Sequence, residues 1–143
     1  MKRILPFLVG LTVLAFAVPE ESTTTAFEEV TITGKLIDTK CYGMNHDNHE
    51  NDHMGPGKDG KMMKLPNCAT ACAAMGIPVG ILEGGKKDGD VYVLITPALG
   101  LAQHQAKEAR VTGMPVFEGG IIPTKIEVKE NDKWVDVTPG GMM

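Results

Sequence analysis

From Val30 the chain alternates. Val30, Ile32, Gly34 and Leu36 fall on one face, and Thr31, Thr33 and Lys35 on the other. A period of two predicts a half-buried strand, and it runs toward Cys41. Residues 43–66 carry no apolar period and predict a long loop, a length that in a small domain points to function or disorder. Pro66-Asn67 opens a short helix over residues 68–75. Asn67 is a favourable N-cap residue, the segment is rich in alanine, and Gly76 is a natural stop. Residues 79–82 and 91–96 predict two strands joined by a hairpin loop, and the unbroken apolar run at 91–95 marks the second as central. Thr96-Pro97 predicts the start of a second helix, with Leu99, Ala102, Ala106 and Ala109 as its apolar stripe. Residues 111–117 predict a fourth strand. A fifth follows the Glu118-Gly-Gly turn, with Ile122, Thr124, Ile126 and Val128 on one face and Lys125, Glu127 and Lys129 on the other. Residues 134–137 predict a last short strand.

Strand, insertion, strand, strand, helix, strand, strand is the order of a five-stranded OB-type barrel. The expected fold is therefore β-rich, an all-β barrel with minor helix content. A single domain spans residues 29–139, with a loop and short helix (43–76) inserted after the first strand. Closing a small barrel hides the sheet edges that a short chain would otherwise expose.

The N-terminus changes the context. Lys2 and Arg3 precede an apolar run over residues 4–18, and Ala15-Phe16-Ala17 is a small-x-small cleavage pattern. This predicts a signal peptide (1–17) and an exported protein, periplasmic or extracellular. A flexible leader (18–28) would follow, with a loose tail at 140–143 and no membrane span in the mature chain. Without Lys2 and Arg3 the 14 basic residues become 12 against 18 acidic, and the net charge moves from −4 to −6. An acidic surface repels phosphate backbones, so nucleic acid is excluded as a partner.

The chemistry is concentrated. All three cysteines (Cys41, Cys68, Cys72) and three of the four histidines (His46, His49, His53) lie between residues 41 and 72. Thiolate and imidazole are the side chains transition metals prefer. Cys68 and Cys72 are four apart on the expected helix, so both sulfurs share a face, and Cys41 would reach them from the first strand. Three thiolates and one imidazole make a closed tetrahedral site. The histidines, at spacings of three and four, would form one stripe if the loop were helical. Asp47, Glu50 and Asp52 add negative charge that would steer a cation. Met44, Met54, Met62 and Met63 are further soft donors; with histidine in an oxidising compartment they suit copper. The expected cofactor is copper or zinc. The alternative is a disulfide from Cys41 to Cys68 or Cys72, in a structural or accessory subunit of a larger envelope protein complex.

Other chemistries fit poorly. There is no Cys-x-x-Cys-His for haem, no phosphate-binding glycine motif, and only Ser22 to supply a serine nucleophile. A binding module, not an enzyme, is expected.

Gly34-Lys-Leu-Ile-Asp38 leading to Cys41, and Cys68-Ala-Thr-Ala-Cys72-Ala-Ala-Met-Gly76-Ile-Pro78, resemble small exported bacterial OB-fold-like proteins of uncharacterised function. Those carry a cysteine after the first strand and a His-x-x-Cys-x-x-x-Cys helix start. The resemblance covers most of residues 30–137 and implies no reaction. Leu65 stands where those proteins have the histidine, so a histidine from the 46–53 run must replace it or the site differs.

Overall fold

The computed structural model describes residues 28–140. The expected signal peptide, all but the end of the leader, and most of the tail lie outside the described residues. The elements in chain order are β1 (Val30–Asp38), α1 (Thr39–Met44), β2 (His53–Pro56), β3 (Met62–Leu65), α2 (Cys68–Ala74), β4 (Val79–Glu83) and β5 (Val91–Leu94), then a 3₁₀ helix (Ala98–His104), β6 (Glu108–Phe117), β7 (Gly120–Glu130) and β8 (Lys133–Asp136).

β1 organises the sheet because it pairs on both sides. Its first half runs antiparallel to β6 and its second half to β4, and Gly34 is shared by both ladders, opposite Ala109 and Glu83. A Cβ at Gly34 would lie 2.0 Å from the Leu82 carbonyl oxygen. Only glycine lets the two backbones come this close as the strand changes partner. The full order is β5-β4-β1-β6-β7-β8, and β5 also pairs in parallel with β7. Five strands are thereby linked in a ring of pairings. The sheet has six strands where a five-stranded barrel was expected, because β8, the last short strand expected at 134–137, pairs with β7. No helix among the described residues is long and apolar enough to cross a membrane.

The core collects the inward positions of the ring, among them Leu36, Ile81, Val111, Ile126 and Val128, closed at one end by Leu101 and Ala102 of the 3₁₀ helix and Ala73 of α2. A smaller cluster of Ile37, Tyr42 and Leu82 lies under α1. The expected face of the fifth strand is half right. Ile126 and Val128 are buried, but so are Ile121 and Pro123, while Ile122 and Thr124 are exposed. The register slips between Thr112 and Gly113, whose partners are Lys125 and Pro123. Thr124 is the extra residue, and a bulge exchanges inward and outward positions on either side of it.

The second helix also differs from expectation. It is 3₁₀ and ends at His104, Ala106 has φ 65°, and Ala109 lies in β6. With three residues per turn, Ala98 and Leu101 share the inward face, and Leu99, expected in the stripe, is exposed.

The stretch at 43–66, expected to be irregular, contains the end of α1 and the β2–β3 hairpin, a separate two-stranded sheet. Most of its side chains face solvent, so the strands left no alternation to read. α2 forms as expected, and its end is a Schellman motif. Gly76 at φ 88° donates to the Ala73 carbonyl, and Ile77 donates to that of Cys72. Its start is different. Asn67 is left-handed and makes no cap with its side chain. Asn51 takes over from the loop: its carbonyl accepts from Ala69 N, and its side-chain oxygen accepts from Thr70 N at 3.0 Å. Asn51→Ala should therefore cost about 1 kcal/mol, the usual worth of a helix cap, readable as a lower midpoint in urea. The whole insertion leaves the sheet at Asp38 and returns at Val79, which are cross-strand partners.

Candidate metal centre

Three elements bring the sulfurs together. Asp38, at the end of β1, starts α1 by accepting from Lys40 N at 3.0 Å through Oδ1. Tyr42 fixes the rotation of α1, with its ring in the Ile37–Leu82 cluster and its hydroxyl donating to the Lys87 carbonyl at 2.7 Å. That rotation turns Cys41 inward. α2 lies flat because Ala69 and Ala73 are small and fully buried, and Cys68 and Cys72 follow on the same side. Cys41 and Cys72 are buried, Cys68 is half-buried, and all three are free thiols. The disulfide considered as the alternative is not formed.

β2 supplies the imidazole. Asn48 holds the approach to this strand, donating to the Cys41 carbonyl at 3.3 Å and accepting from Met54 N at 3.1 Å. His53 is 2% exposed. Its Nε2 lies 2.8 Å from the Glu50 carbonyl oxygen. That oxygen can only accept, so Nε2 is the nitrogen that carries a proton, and in the matching tautomer Nδ1 is the ligand atom. Nδ1 is buried and has no hydrogen-bond partner. This is how a metal-ligating histidine is usually held, its second nitrogen tied to a carbonyl.

Two sets of ligand atoms each lie within 4.8 Å of one another: Cys41, His53 and Cys68, and Asp38, Cys41 and Cys72. Cys41 belongs to both. A tetrahedral ion with bonds of about 2.0–2.3 Å spaces its ligands by about 3.3–3.8 Å, so within each set a closure of about 1–1.5 Å or less would suffice. Asp38 is the residue that sequence reading missed. Its Oδ2 is buried without a partner and stands 3.9 Å from His53 Nδ1. The available signal was an acid three residues before a cysteine, at a strand end where a helix begins.

Burial pushes both inner thiols up, and the Asp38 carboxylate beside them pushes further. Cys41 rises steeply and Cys72 to about 11. At neutral pH both hold their protons.

The remaining candidates separate. His46 stacks on Tyr42 with ring centroids 4.5 Å apart, and its Nδ1 is 3.9 Å from Asp88. His49 Nδ1 donates to the His46 carbonyl at 3.0 Å. Neither belongs to the ligand sets, because the backbone here is turn and strand and does not form the helical stripe expected from the spacing. The loop acids are also engaged. Asp47 pairs with Lys87, Glu50 with Lys35, and Asp52 with Lys64 at 3.0 Å and with Asn67 N at 2.8 Å. These contacts hold Asp47 and Asp52 below the usual carboxylate range. Each acid thus spends its charge on a lysine and pins the loop, a role unlike the expected steering of a cation. A cleft of about 290 Å³ opens onto Cys41, His53 and Cys68, and Met44, Met54 and Met62 line it; Met63 does not. No protein-family model, curated protein or solved structure matches the chain.

Proposed function

We propose that the protein is an exported module that holds one transition-metal ion, copper or zinc, through Cys41, Cys68, Cys72 and Nδ1 of His53, and that it binds the ion without catalysing a reaction. One observation carries this reading. Two buried polar atoms, His53 Nδ1 and Asp38 Oδ2, have no partner and sit against three free thiols. Buried groups of this kind are costly unless paired, and a cation would satisfy both. Three thiolates and an imidazole suit zinc or Cu(I), and the Asp38 carboxylate stands beside them. The ring of pairings, with a short helix between β5 and β6, is consistent with an OB-like barrel as the rigid support. His53 is also the cross-strand partner of Leu65. A histidine opposite position 65 reaches the same neighbourhood as one at it, so in this reading His53 stands in for the histidine that the resemblance to small exported OB-like proteins puts at position 65.

The test is metal content and proton balance. The reduced protein should bind one equivalent of Zn(II) or Cu(I). Because Cys41 and Cys72 are held protonated, loading at pH 7 should release at least two protons per ion. Raising the pH by one unit should then strengthen apparent binding about 100-fold in the neutral range. Calorimetry in buffers of different ionisation enthalpy reads both quantities. Absence of stoichiometric binding, or binding indifferent to pH, would refute the reading.

A further inference from the structure

The rim of the cleft is chemically unlike its floor. Cys41, His53 and Cys68 form the floor, and Met44, Met54 and Met62 line the cleft with them. The three methionines come from α1, β2 and β3, so the fold, and no single sequence run, gathers them. They are 70%, 48% and 62% exposed, whereas methionine is ordinarily an interior residue. Met63 adjoins Met62 in sequence and is also exposed, but its sulfur lies against Gly57, outside the cleft. A thioether is a neutral, soft donor. It favours Cu(I) over Zn(II), whose usual ligands are thiolate, imidazole and carboxylate.

We infer that the cargo is a soft monovalent cation, Cu(I), and that Met44, Met54 and Met62 form an entry site that captures it and passes it to Cys41, Cys68 and His53. This rests on the metal-binding reading above. The transfer is a ligand exchange. Each thioether–copper bond breaks as a thiolate–copper or imidazole–copper bond forms, each thiol proton leaves to water, and no electron moves.

The full chain, reduced and carrying ¹³C-methyl methionine, would be titrated with Ag(I) as a redox-inert stand-in for Cu(I). The first equivalent should fill the thiol site. The second should shift the methyl signals of Met44, Met54 and Met62 together, leaving Met63 in place. Replacing those three with leucine should slow uptake of Cu(I) from its bicinchoninate complex about tenfold or more, with Zn(II) affinity unchanged. M63L, the matched control, should leave uptake unaltered. Silent or indiscriminate methyl signals, or uptake within twofold of the native rate, would overturn the entry site while leaving the thiol site standing. A chain that takes up neither Ag(I) nor Zn(II) would bring down both.

Discussion

Cys41→Ser is expected to weaken metal binding about 1000-fold or more. Binding of a structural ion by thiolate and imidazole is worth about 10–16 kcal/mol, so one of four ligands accounts for roughly 3–4 kcal/mol, or 100- to 1000-fold. Cys41 should lie at or beyond the top of that range because it is the one sulfur common to both ligand sets. A serine oxygen at its position is a harder and far weaker ligand. Cys68→Ser and Cys72→Ser each remove a member of one set only and should cost less. Asp38→Asn makes the sharper companion. Its carboxylate is buried and half unpartnered. Removing that charge should raise the melting temperature of the metal-free protein and, once the easier deprotonation of Cys41 and Cys72 is corrected for, lower metal affinity about 10- to 100-fold, as loss of an outer partner does. Opposite signs in the two measurements are the signature of a charge kept for a cation. No change in either would mean that Asp38 is merely a helix cap, since asparagine retains the oxygen that Lys40 N uses.

Gly34→Ala should destabilise the protein by about 3 kcal/mol or more, with Tm lower by at least about 12 °C. The new methyl would meet the Leu82 carbonyl oxygen at 2.0 Å and its carbon at 2.7 Å. Both are backbone atoms, so no side chain can rotate away. Relief requires β1 and β4 to separate where β1 changes partner, and that contact is central to the ring. Gly43→Ala is the matched control. Nothing lies within 4 Å of the added methyl, and the residue is in α1. The same substitution there should stabilise by about 0.5–1 kcal/mol through helix propensity alone. Thermal melts of the two variants beside the native chain decide both claims, and equal shifts of either sign would contradict the packing argument.

Much of this organisation was legible in the residues. β1, β4 and β5, with one face against the core, announced themselves by apolar runs or alternation. Gly76 marked the end of α2, and the gathering of cysteine and histidine marked the site. The illegible parts have definite causes. At Thr124 a single extra residue inverts the parity of β7, and no pattern in one strand reveals what its neighbour does. Leu99 is exposed because the short helix turns Ala98, Leu101 and Ala102 to the core, a face that the α-helical stripe drawn through Leu99 did not follow. The β2–β3 hairpin stands apart from the core, so hydrophobicity did not select its residues. His53 could not be told from His46 and His49 by spacing. What distinguishes it is burial and a carbonyl that claims one of its nitrogens. Asp38 gave no sign of its place in the sequence, since only the fold brings its carboxylate within 4.8 Å of the Cys41 and Cys72 sulfurs.

The pairing of Asp38 with Val79 makes the sulfur-bearing excursion a portable cassette. Its two stems are already side by side, so the cassette could be spliced between the adjacent antiparallel strands of another sheet without prying them apart, provided that sheet supplies the pocket that Ile37, Leu82 and the Lys87 carbonyl make for Tyr42. The donor left behind would need only a tight turn to rejoin its strands, together with a new apolar lid over Leu101, where Ala73 now sits.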